Sequence, residues 1–319
     1  MAVSGKIKIL AVVGPTASGK TALSIRLAQR LNGEIVSCDS MQVYRRMNVG
    51  TAKPSEDEKC GVPHHLIDVA DPHEPYSVAA YVEAANEAVM TISQKGKVPI
   101  FCGGTGLYLD SFLRGGFEET TADPALRQAL FAFAEEQGAH ALHERLRAVD
   151  PQSAEEIHEN NVKRVVRALE IYESTGLTKT ETDRRSKTRS VPWEATVVGL
   201  HYPDRELLYE RIGKRIRIML DDGLLEETRM LFEEGIFQKN LTAAQAIGYK
   251  ELFGYLQGEE PLESAIERLT YATRHYAKRQ LTWFRAKDYV QWVNMADANG
   301  MRSLDAICDE VAHLFGVAP

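Results

Sequence analysis

Residues 6–31, "KIKILAVVGPTASGKTALSIRLAQRL", carry a strong structural signal. An apolar run leads directly into the octet "GPTASGKT" at 14–21, and an amphipathic helical pattern follows from about residue 20 to residue 31. The octet fits the motif G-x-x-x-x-G-K-[ST] in full, and it lies between the strand and the helix that a phosphate-binding loop requires. The sequence therefore predicts such a loop between the first strand and the first helix of an α/β protein.

In a loop of this kind, backbone amides and the N-terminus of the helix wrap a phosphate group. Lys20 would reach the outer phosphate oxygens, and Thr21 would offer its hydroxyl to Mg²⁺, the one cofactor that we expect. The residues predicted to bind the diphosphate are Gly14, Pro15, Thr16, Ala17, Ser18, Gly19, Lys20 and Thr21. The loop recognises phosphate oxygens and not what they are attached to, so nucleotide and non-nucleotide donors both stay open.

The whole chain has 319 residues, a net charge of -7 and four cysteines without CxxC spacing. No apolar run approaches the roughly 20 residues that span a bilayer, and the N-terminus is typical of a first strand and not of a signal peptide. We expect a cytoplasmic protein with reduced thiols and no membrane contact. The negative charge argues against a protein that coats nucleic acid indiscriminately, although a local basic patch remains open.

Strand-like and helix-like segments alternate over the first part of the chain, which predicts a parallel, doubly wound sheet. One of the predicted strands is "HHLIDV" at 64–69. From about residue 123 to residue 189 the pattern is helical throughout, before the strand-like "WEATVVGLHY" at 193–202 returns the chain to the sheet. The remainder is predicted to be helical, including 262–287. The predicted fold class is α/β: a P-loop NTPase-like parallel sheet flanked by helices, with a core of 1–118 and 192–319 and a helical insertion at 119–191.

Asp39 ends the second strand-like run, in "EIVSCDSMQVY". Ligands of open α/β sheets bind outside the carboxyl ends of the strands, so Asp39 is predicted to lie beside the phosphate loop. No later strand ends convincingly in an acid, since "VPIFC" runs into Gly103, Gly104 and Thr105, and an obvious Walker B strand is absent. Asp39 could act in catalysis, ligate a metal or cap a helix.

Six segments carry a family resemblance: "GPTASGKT", "DSMQVYRRMNVGTAKP", "PHHLID", "GGTGLY", "AIGYKEL" and "AKRQLTWFR". Together and in this order they resemble the bacterial tRNA dimethylallyltransferase (tRNA isopentenyltransferase) family. The resemblance implies transfer of a dimethylallyl group from its diphosphate to the exocyclic amine of the adenosine just 3′ of the anticodon. Asp39 would be the general base, and Lys20, the loop amides and Mg²⁺ near Thr21 would stabilise the leaving diphosphate.

Contacts with the anticodon stem-loop are expected from the resemblance and from basic residues at helical spacing. The predicted tRNA-binding residues are Asp39, Ser40, Met41, Gln42, Thr105, Arg127, Asn161, Val162, Lys163, Arg164, Val165, Arg167, Gly248, Tyr249, Lys250, Arg274, Lys278, Arg279 and Arg285. Arg184, Arg185, Lys187 and Arg189 extend the basic cluster of the insertion. An amide can pair bidentately with adenine, so Gln42 is a candidate base reader. Tyr44 or Tyr108 could stack on the target base, with a buried tyrosine as the alternative.

The sequence leaves several alternatives open. Arg215 is predicted to bind the diphosphate, and the sequence does not separate it from Arg211, or either from a surface helix with Glu partners. A P-loop kinase would use the same octet, and an adenylate dimethylallyltransferase would perform the same chemistry on a mononucleotide. A non-catalytic RNA-binding protein is the third rival. We expect tRNA and dimethylallyl diphosphate as partners and a monomer as the assembly.

Overall fold

The structure is a computed structural model that describes residues 5–116, 123–187, 190–298 and 300–317. The chain divides into two units. The first combines Met1–Phe112 with Pro192–Pro319, and the second is the intervening segment Leu113–Val191. Across the described ranges, no helix is both long enough and apolar enough to cross a bilayer.

The first unit contains a six-stranded parallel sheet. Its strands are β1 (Ile7–Val13), β2 (Gly33–Cys38), β3 (His64–His65), β4 (Val98–Gly103), β5 (Trp193–His201) and β6 (Val290–Asn294). Their order across the sheet is β3-β2-β4-β1-β5-β6. A small antiparallel ribbon of β7 (Ala296–Asp297) and β8 (Gly300–Met301) follows the last of these strands.

The helices follow in chain order. They are α1 (Lys20–Leu31), α2 (Glu56–Lys59), α3 (Val78–Gln94), α4 (Gly106–Leu113), α5 (Pro124–Gln137), α6 (Ala139–Val149), α7 (Pro151–Glu156), α8 (Val162–Thr175), α9 (Lys179–Lys187), α10 (Arg205–Asp221), α11 (Leu224–Glu233), α12 (Ile236–Lys239), α13 (Phe253–Leu256), α14 (Leu262–Arg285) and α15 (Leu304–Leu314). Two 3-10 turns occupy Ala243–Gln245 and Lys250–Leu252.

β1 lies between β4 and β5, and its residues from Ile9 to Val13 are almost completely buried. A parallel strand that is covered on both faces is apolar at every position, without alternation of polar and apolar residues. This part of β1 follows that pattern. α1 ends where Asn32 adopts the left-handed conformation and donates its amide to the Ala28 carbonyl. The chain then enters β2, so the carboxyl ends of β1, β2 and β4 lie at one edge of the sheet.

The predicted α/β fold with a parallel sheet is confirmed, and the bounds of α1 are those that the sequence pattern indicates. Two predictions of secondary structure are wrong. The strand expected over "HHLIDV" is limited to two residues, because Leu66 and Asp68 adopt positive φ angles of 63° and 58°, which interrupt an extended strand. The segment after α14, expected to be helical, supplies β6, which pairs with β5.

The second unit is helical, from α5 to α9. Its core is formed by Leu142 and Leu146 of α6 with Val165, Val166 and Leu169 of α8, all nearly inaccessible to solvent. The buried carboxylate of Asp150 caps α7 through the Ser153 amide and also accepts hydrogen bonds from Thr180. The boundary expected at residue 119 lies in 117–122, outside the described residues.

Candidate active site

The phosphate loop, residues 14–21, connects β1 to α1. Gly19 precedes the helix with φ 92°, a left-handed conformation that strains any residue with a Cβ. Lys20 Nζ donates to the Pro15 carbonyl at 2.7 Å, and Tyr202 donates its hydroxyl to the Ser18 carbonyl at 3.2 Å. Two side chains therefore stabilise the backbone of the loop: its own Lys20, and Tyr202, which follows β5 directly.

Burial lowers the pKa of Lys20 to about 8, with Cys102 acting in the opposite direction. Cys102 is the penultimate residue of β4, and burial raises the pKa of its thiol, against hydrogen bonds from Ser24 and Thr21 and the charge of Lys20. A neutral thiol therefore lies beside the loop, at a strand end where an NTPase would carry a metal-holding carboxylate.

Asp39 follows β2 directly, and its Oδ1 accepts the backbone N–H groups of Met41 at 2.9 Å and Gln42 at 3.3 Å. This turn holds the carboxylate in one orientation. No regular helix follows it, so the helix-cap alternative is not what the structure shows. Thr105, after β4, accepts the amide of Ser40 at 3.0 Å and so joins the ends of β2 and β4.

Gln42 is engaged within the protein at both ends of its amide. Its Nε2 donates to the carbonyls of Thr51 and Ala52, each at 3.2 Å, and its Oε1 lies 3.1 Å from the Ser37 hydroxyl. Bidentate pairing with adenine would break these bonds. The base-reading role of Gln42 stays a prediction, and the structure provides no free amide for it.

A cavity of about 290 Å³ opens beside the loop and Asp39. Its polar part includes Thr16, Asp39, Arg215, Tyr276 and Arg279. Its apolar part is formed by Ile212, Ile216 and Met219 of α10 together with Ala246, Ile247 and Leu269. The spacing of the three α10 residues places them on one face of that helix. The cavity therefore combines a charged region next to the phosphate loop with a hydrocarbon wall.

The two arginines of α10 have different positions. Arg215 lines the cavity, and burial lowers its pKa while the nearby Asp39 carboxylate acts in the opposite direction. Arg211 is exposed and donates its Nε to the Ala17 carbonyl at 2.9 Å, on the outside of the loop. Of the two, Arg215 is the one placed to meet a ligand in the cavity.

Sequence reasoning missed two residues of α14 that reach this site. Gln280, 5% exposed, accepts the Thr16 amide at 2.8 Å and donates to the Gly104 carbonyl at 3.1 Å. Tyr276 interacts with Thr105, and its pKa is raised, first by burial and then by Asp39. Nothing local in the sequence of α14 indicates which of its residues face the phosphate loop.

The sequence was compared with family models and with known proteins. The family model for IPP transferase matches residues 42–287, and that for isopentenyl transferase matches residues 7–70. A tRNA dimethylallyltransferase from Geobacillus thermodenitrificans is 48% identical over 291 residues, covering 91% of this chain and 91% of that protein. The chain belongs to the tRNA dimethylallyltransferase family. The family resemblance expected from the sequence motifs is confirmed.

Other proteins of the tRNA dimethylallyltransferase family are also similar to this chain. One from Halalkalibacterium halodurans is 46% identical, covering 92% of this chain and 93% of that protein. A crystal structure of the tRNA isopentenylpyrophosphate transferase from Bacillus halodurans superposes with a TM-score of 0.70 at 42% identity, covering 98% and 97% of the two chains. A eukaryotic dimethylallyltransferase acting on tRNA gives a TM-score of 0.80 at 29% identity, covering 98% of this chain and 80% of that one.

In the first unit of this tRNA dimethylallyltransferase family member, the residues predicted to contact tRNA divide into accessible and buried ones. Arg274, Lys278, Arg279 and Arg285 of α14 are exposed, and Lys250 and Arg279 line the cavity. Tyr249 is fully buried and donates its hydroxyl to Glu227 at 2.7 Å, and Gly248 is buried beside it. The Tyr249 ring packs inside the protein, and the contact of this residue with tRNA stays a prediction.

In the second unit, Asn161, Lys163 and Arg164 are exposed at the start of α8, and Val162 is half-buried. Val165 is fully buried in the helical core, and its contact with tRNA stays a prediction. Arg127 and Arg167 each donate to one carboxylate oxygen of Glu170 at 2.8 Å, so an internal acid balances part of their charge. Arg184 and Arg185 are exposed on α9, and Arg189 lies outside the described residues.

Tyr44 and Tyr108, the candidates for stacking on the target base, are both buried in the protein. Tyr44 is inaccessible to solvent and accepts the Tyr76 amide at 3.0 Å. Tyr108 is 4% exposed, and its ring stacks on Tyr81 with a centroid distance of 4.0 Å. Neither ring is open to a flipped base, because each is covered by the protein's own side chains.

Proposed function

We propose that this chain transfers the dimethylallyl group of dimethylallyl diphosphate to the exocyclic amine of the adenosine 3′ of the anticodon in tRNA, with release of diphosphate. The observation that carries the proposal is the cavity, which joins a phosphate loop, a carboxylate and an apolar wall in one space. An allylic diphosphate has the same division into a charged head and a short hydrocarbon tail. Names of relatives that cover most of this chain support the same reaction.

The chemistry follows from the side chains around the cavity. The adenine amine attacks the primary allylic carbon, the bond from that carbon to the diphosphate oxygen breaks, and the amine loses a proton. Asp39 accepts that proton, because its carboxylate lines the cavity and is held in orientation by the Met41 and Gln42 amides. The leaving diphosphate gains negative charge, which Lys20, Arg215 and the loop amides would stabilise.

The oxygen atoms around the loop fit Mg²⁺. The Thr21 hydroxyl and the Asp39 carboxylate are hard donors, whereas the nearby Cys102 is a neutral thiol. The described residues contain no cluster of His, Cys, Asp and Glu that could cage a metal alone. Mg²⁺ in phosphate sites normally takes one or two protein oxygens and completes its shell with phosphate and water. When bound with the donor, it would add positive charge beside the leaving diphosphate.

The apolar wall argues against a kinase. Ile212, Ile216 and Met219 present hydrocarbon where a second hydroxylated or phosphorylated substrate would need polar partners. The end of β4 also lacks the acid that phosphoryl transfer uses to hold its metal, since Cys102 is followed by Gly103 and Gly104. A cytoplasmic monomer with tRNA as its partner completes our proposal.

The first test is a transfer assay with radiolabelled dimethylallyl diphosphate, Mg²⁺ and unmodified tRNA that carries adenosine 3′ of the anticodon. AMP and ATP serve as parallel acceptors. We expect label in tRNA alone. Label in the mononucleotides would replace the proposal with free cytokinin synthesis. Label in no acceptor would refute it and direct the same assay to ATP as donor.

Two variants test the role of Asp39. Asp39→Asn keeps the oxygen that accepts the Met41 amide but cannot take a proton, and Asp39→Ala removes both functions. We expect tRNA binding to persist while kcat falls by about 10²- to 10⁴-fold, the usual contribution of a general base. Asp57→Asn, on the exposed surface of α2, is the matched control. Normal turnover by Asp39→Asn would remove Asp39 as the base.

A further inference from the structure

One wall of the cavity is a loop without regular secondary structure. Residues 48–52 follow β2, and Gly50, Thr51 and Ala52 face the cavity. A loop of this kind keeps its shape only if its backbone groups find partners elsewhere. The loop 48–52 must therefore find such partners in order to keep its position beside the cavity.

A single buried carboxylate holds it. Glu227 of α11 is 7% exposed, and its two oxygens accept the amides of Asn48, Val49 and Gly50, each at 2.9 Å. The Tyr249 hydroxyl donates to the same carboxylate at 2.7 Å. Four donors on one buried acid form a charge-assisted network, which is stronger than the same number of neutral hydrogen bonds.

The loop is also packed on its other side. A Cβ built on Gly50 would lie 2.3 Å from the Tyr249 ring, and one built on Gly248 would lie 3.0 Å from the Gly50 carbonyl. Gly248 has φ 114°, which a residue with a side chain would adopt only under strain. The backbone of the loop is therefore in direct contact with the segment 248–249.

The carbonyl groups of the same loop hold two side chains of the site. Thr51 and Ala52 each accept a hydrogen bond from Gln42 Nε2 at 3.2 Å, and Ala52 also accepts from Arg215 Nη2 at 3.4 Å. Arg215 is the cavity arginine of α10. A continuous path of contacts thus runs from Glu227 through the loop to Arg215.

We propose that Glu227, assisted by Tyr249, is a positioning residue that sets the wall at 50–52 and, through Ala52, the guanidinium of Arg215 against the donor diphosphate. The inference rests on the proposed function for the identity of the donor. A neutral amide at position 227 would have one acceptor oxygen for four donors, and its NH₂ group would face N–H groups. The wall would then move, and small displacements of binding groups weaken catalysis strongly.

The test compares Glu227→Gln and Tyr249→Phe with Glu34→Gln, a variant in a buried ionic cluster at the amino end of β2. We expect Glu227→Gln to weaken binding of dimethylallyl diphosphate, measured by calorimetry, by about ten-fold and to raise KM for the donor similarly. Tyr249→Phe, which keeps the ring against Gly50, should have a smaller effect of about three-fold. Amide hydrogen exchange at 48–50 should accelerate in Glu227→Gln and stay unchanged in Glu34→Gln.

A purely structural role predicts a different result. In that case Glu227→Gln would lower Tm as Glu34→Gln does and leave donor affinity, KM and kcat unchanged, which would overturn the proposal. A double-mutant cycle with Arg215→Lys adds a second criterion. The combined effect on donor affinity should be smaller than the product of the two separate effects, and full independence would also overturn the proposal.

The calorimetric and exchange measurements do not depend on transfer. If wild-type protein bound the diphosphate but labelled no tRNA, the proposed function would fail while the role of Glu227 would still be decided.

Discussion

Gln280 shows how one buried side chain can fix the phosphate loop from a distant helix. Its amide joins the Thr16 N–H to the Gly104 carbonyl, so the loop after β1 and the loop after β4 share one anchor. Gln280→Leu would remove the partner of the part-buried Thr16 N–H and of the buried Gly104 carbonyl. We expect the free energy of unfolding to fall by about 1–3 kcal/mol and KM for dimethylallyl diphosphate to rise. Urea unfolding and steady-state kinetics measure the two effects.

The control for this change is Gln94→Leu at the exposed end of α3. It alters the same functional group where no backbone partner depends on it, so stability should change by less than about 0.5 kcal/mol. Equal effects of Gln280→Leu and Gln94→Leu on KM would show that the anchor is irrelevant to donor binding.

At the level of single residues, the sequence singles out only those candidates that a local motif marks. Lys20 and Thr21 are defined by the octet, and Asp39 by its position at the end of a strand. Glu227 and Gln280 carry no such motif, because each acts through backbone groups that lie far away along the chain. Their function appears only when the fold brings those groups together.

Helix α14 carries an accessible basic face that could contact the phosphates of tRNA. Arg274, Lys278 and Arg285 are exposed and do not line the cavity. Changing all three to Glu should weaken tRNA binding and leave the affinity for dimethylallyl diphosphate unchanged. If each side chain neutralises one phosphate, the slope of log K against log salt should decrease by about 0.7–0.9 for every phosphate left without its cation. Filter binding at several salt concentrations measures both affinity and slope.

A matched variant changes Arg26, Arg217 and Arg229 to Glu, on α1, α10 and α11. It alters the net charge by the same amount, so it separates a local contact from the general effect of charge. Equal reductions of tRNA affinity in the two variants would refute a specific role for α14.

Helices were predicted more accurately than short strands, for a physical reason. α1 has a long apolar periodicity, and its end is marked by Asn32, which adopts the left-handed conformation and bonds the Ala28 carbonyl through its backbone amide. β6 is a short edge strand with partly exposed positions, whose partner β5 is distant in sequence. The end of β3 depends on the backbone angles of Leu66 and Asp68, which no composition rule supplies.

For the whole molecule, alternating strands and helices predicted a parallel sheet but not the order of its strands. That order is set by contacts between remote segments, such as the ionic cluster around Glu34 of β2. This carboxylate is 1% exposed and is hydrogen-bonded by Lys97 at 2.8 Å, His65 at 2.7 Å and Lys95 at 3.1 Å. The cluster ties β2 to β3 and to the segment that enters β4, and its partners are recognisable only in the folded chain.

The Glu34 cluster predicts how the stability of the protein depends on pH. Burial acts to raise the pKa of Glu34, but hydrogen bonds from Lys97, His65 and Lys95 outweigh it and lower the pKa to about 2. Because the folded pKa lies below the usual value of 4.5, the stabilisation is complete above about pH 4.5 and is lost as the pH falls towards 2. Glu34→Gln should lower the free energy of unfolding by about 1–3 kcal/mol at pH 7, and the difference from wild type should shrink as the pH falls through this window. Urea unfolding between pH 3 and pH 7 measures it. Glu83→Gln on α3 is the control. If the difference between wild type and Glu34→Gln stayed constant with pH, the charge on Glu34 would not be what stabilises this end of the sheet.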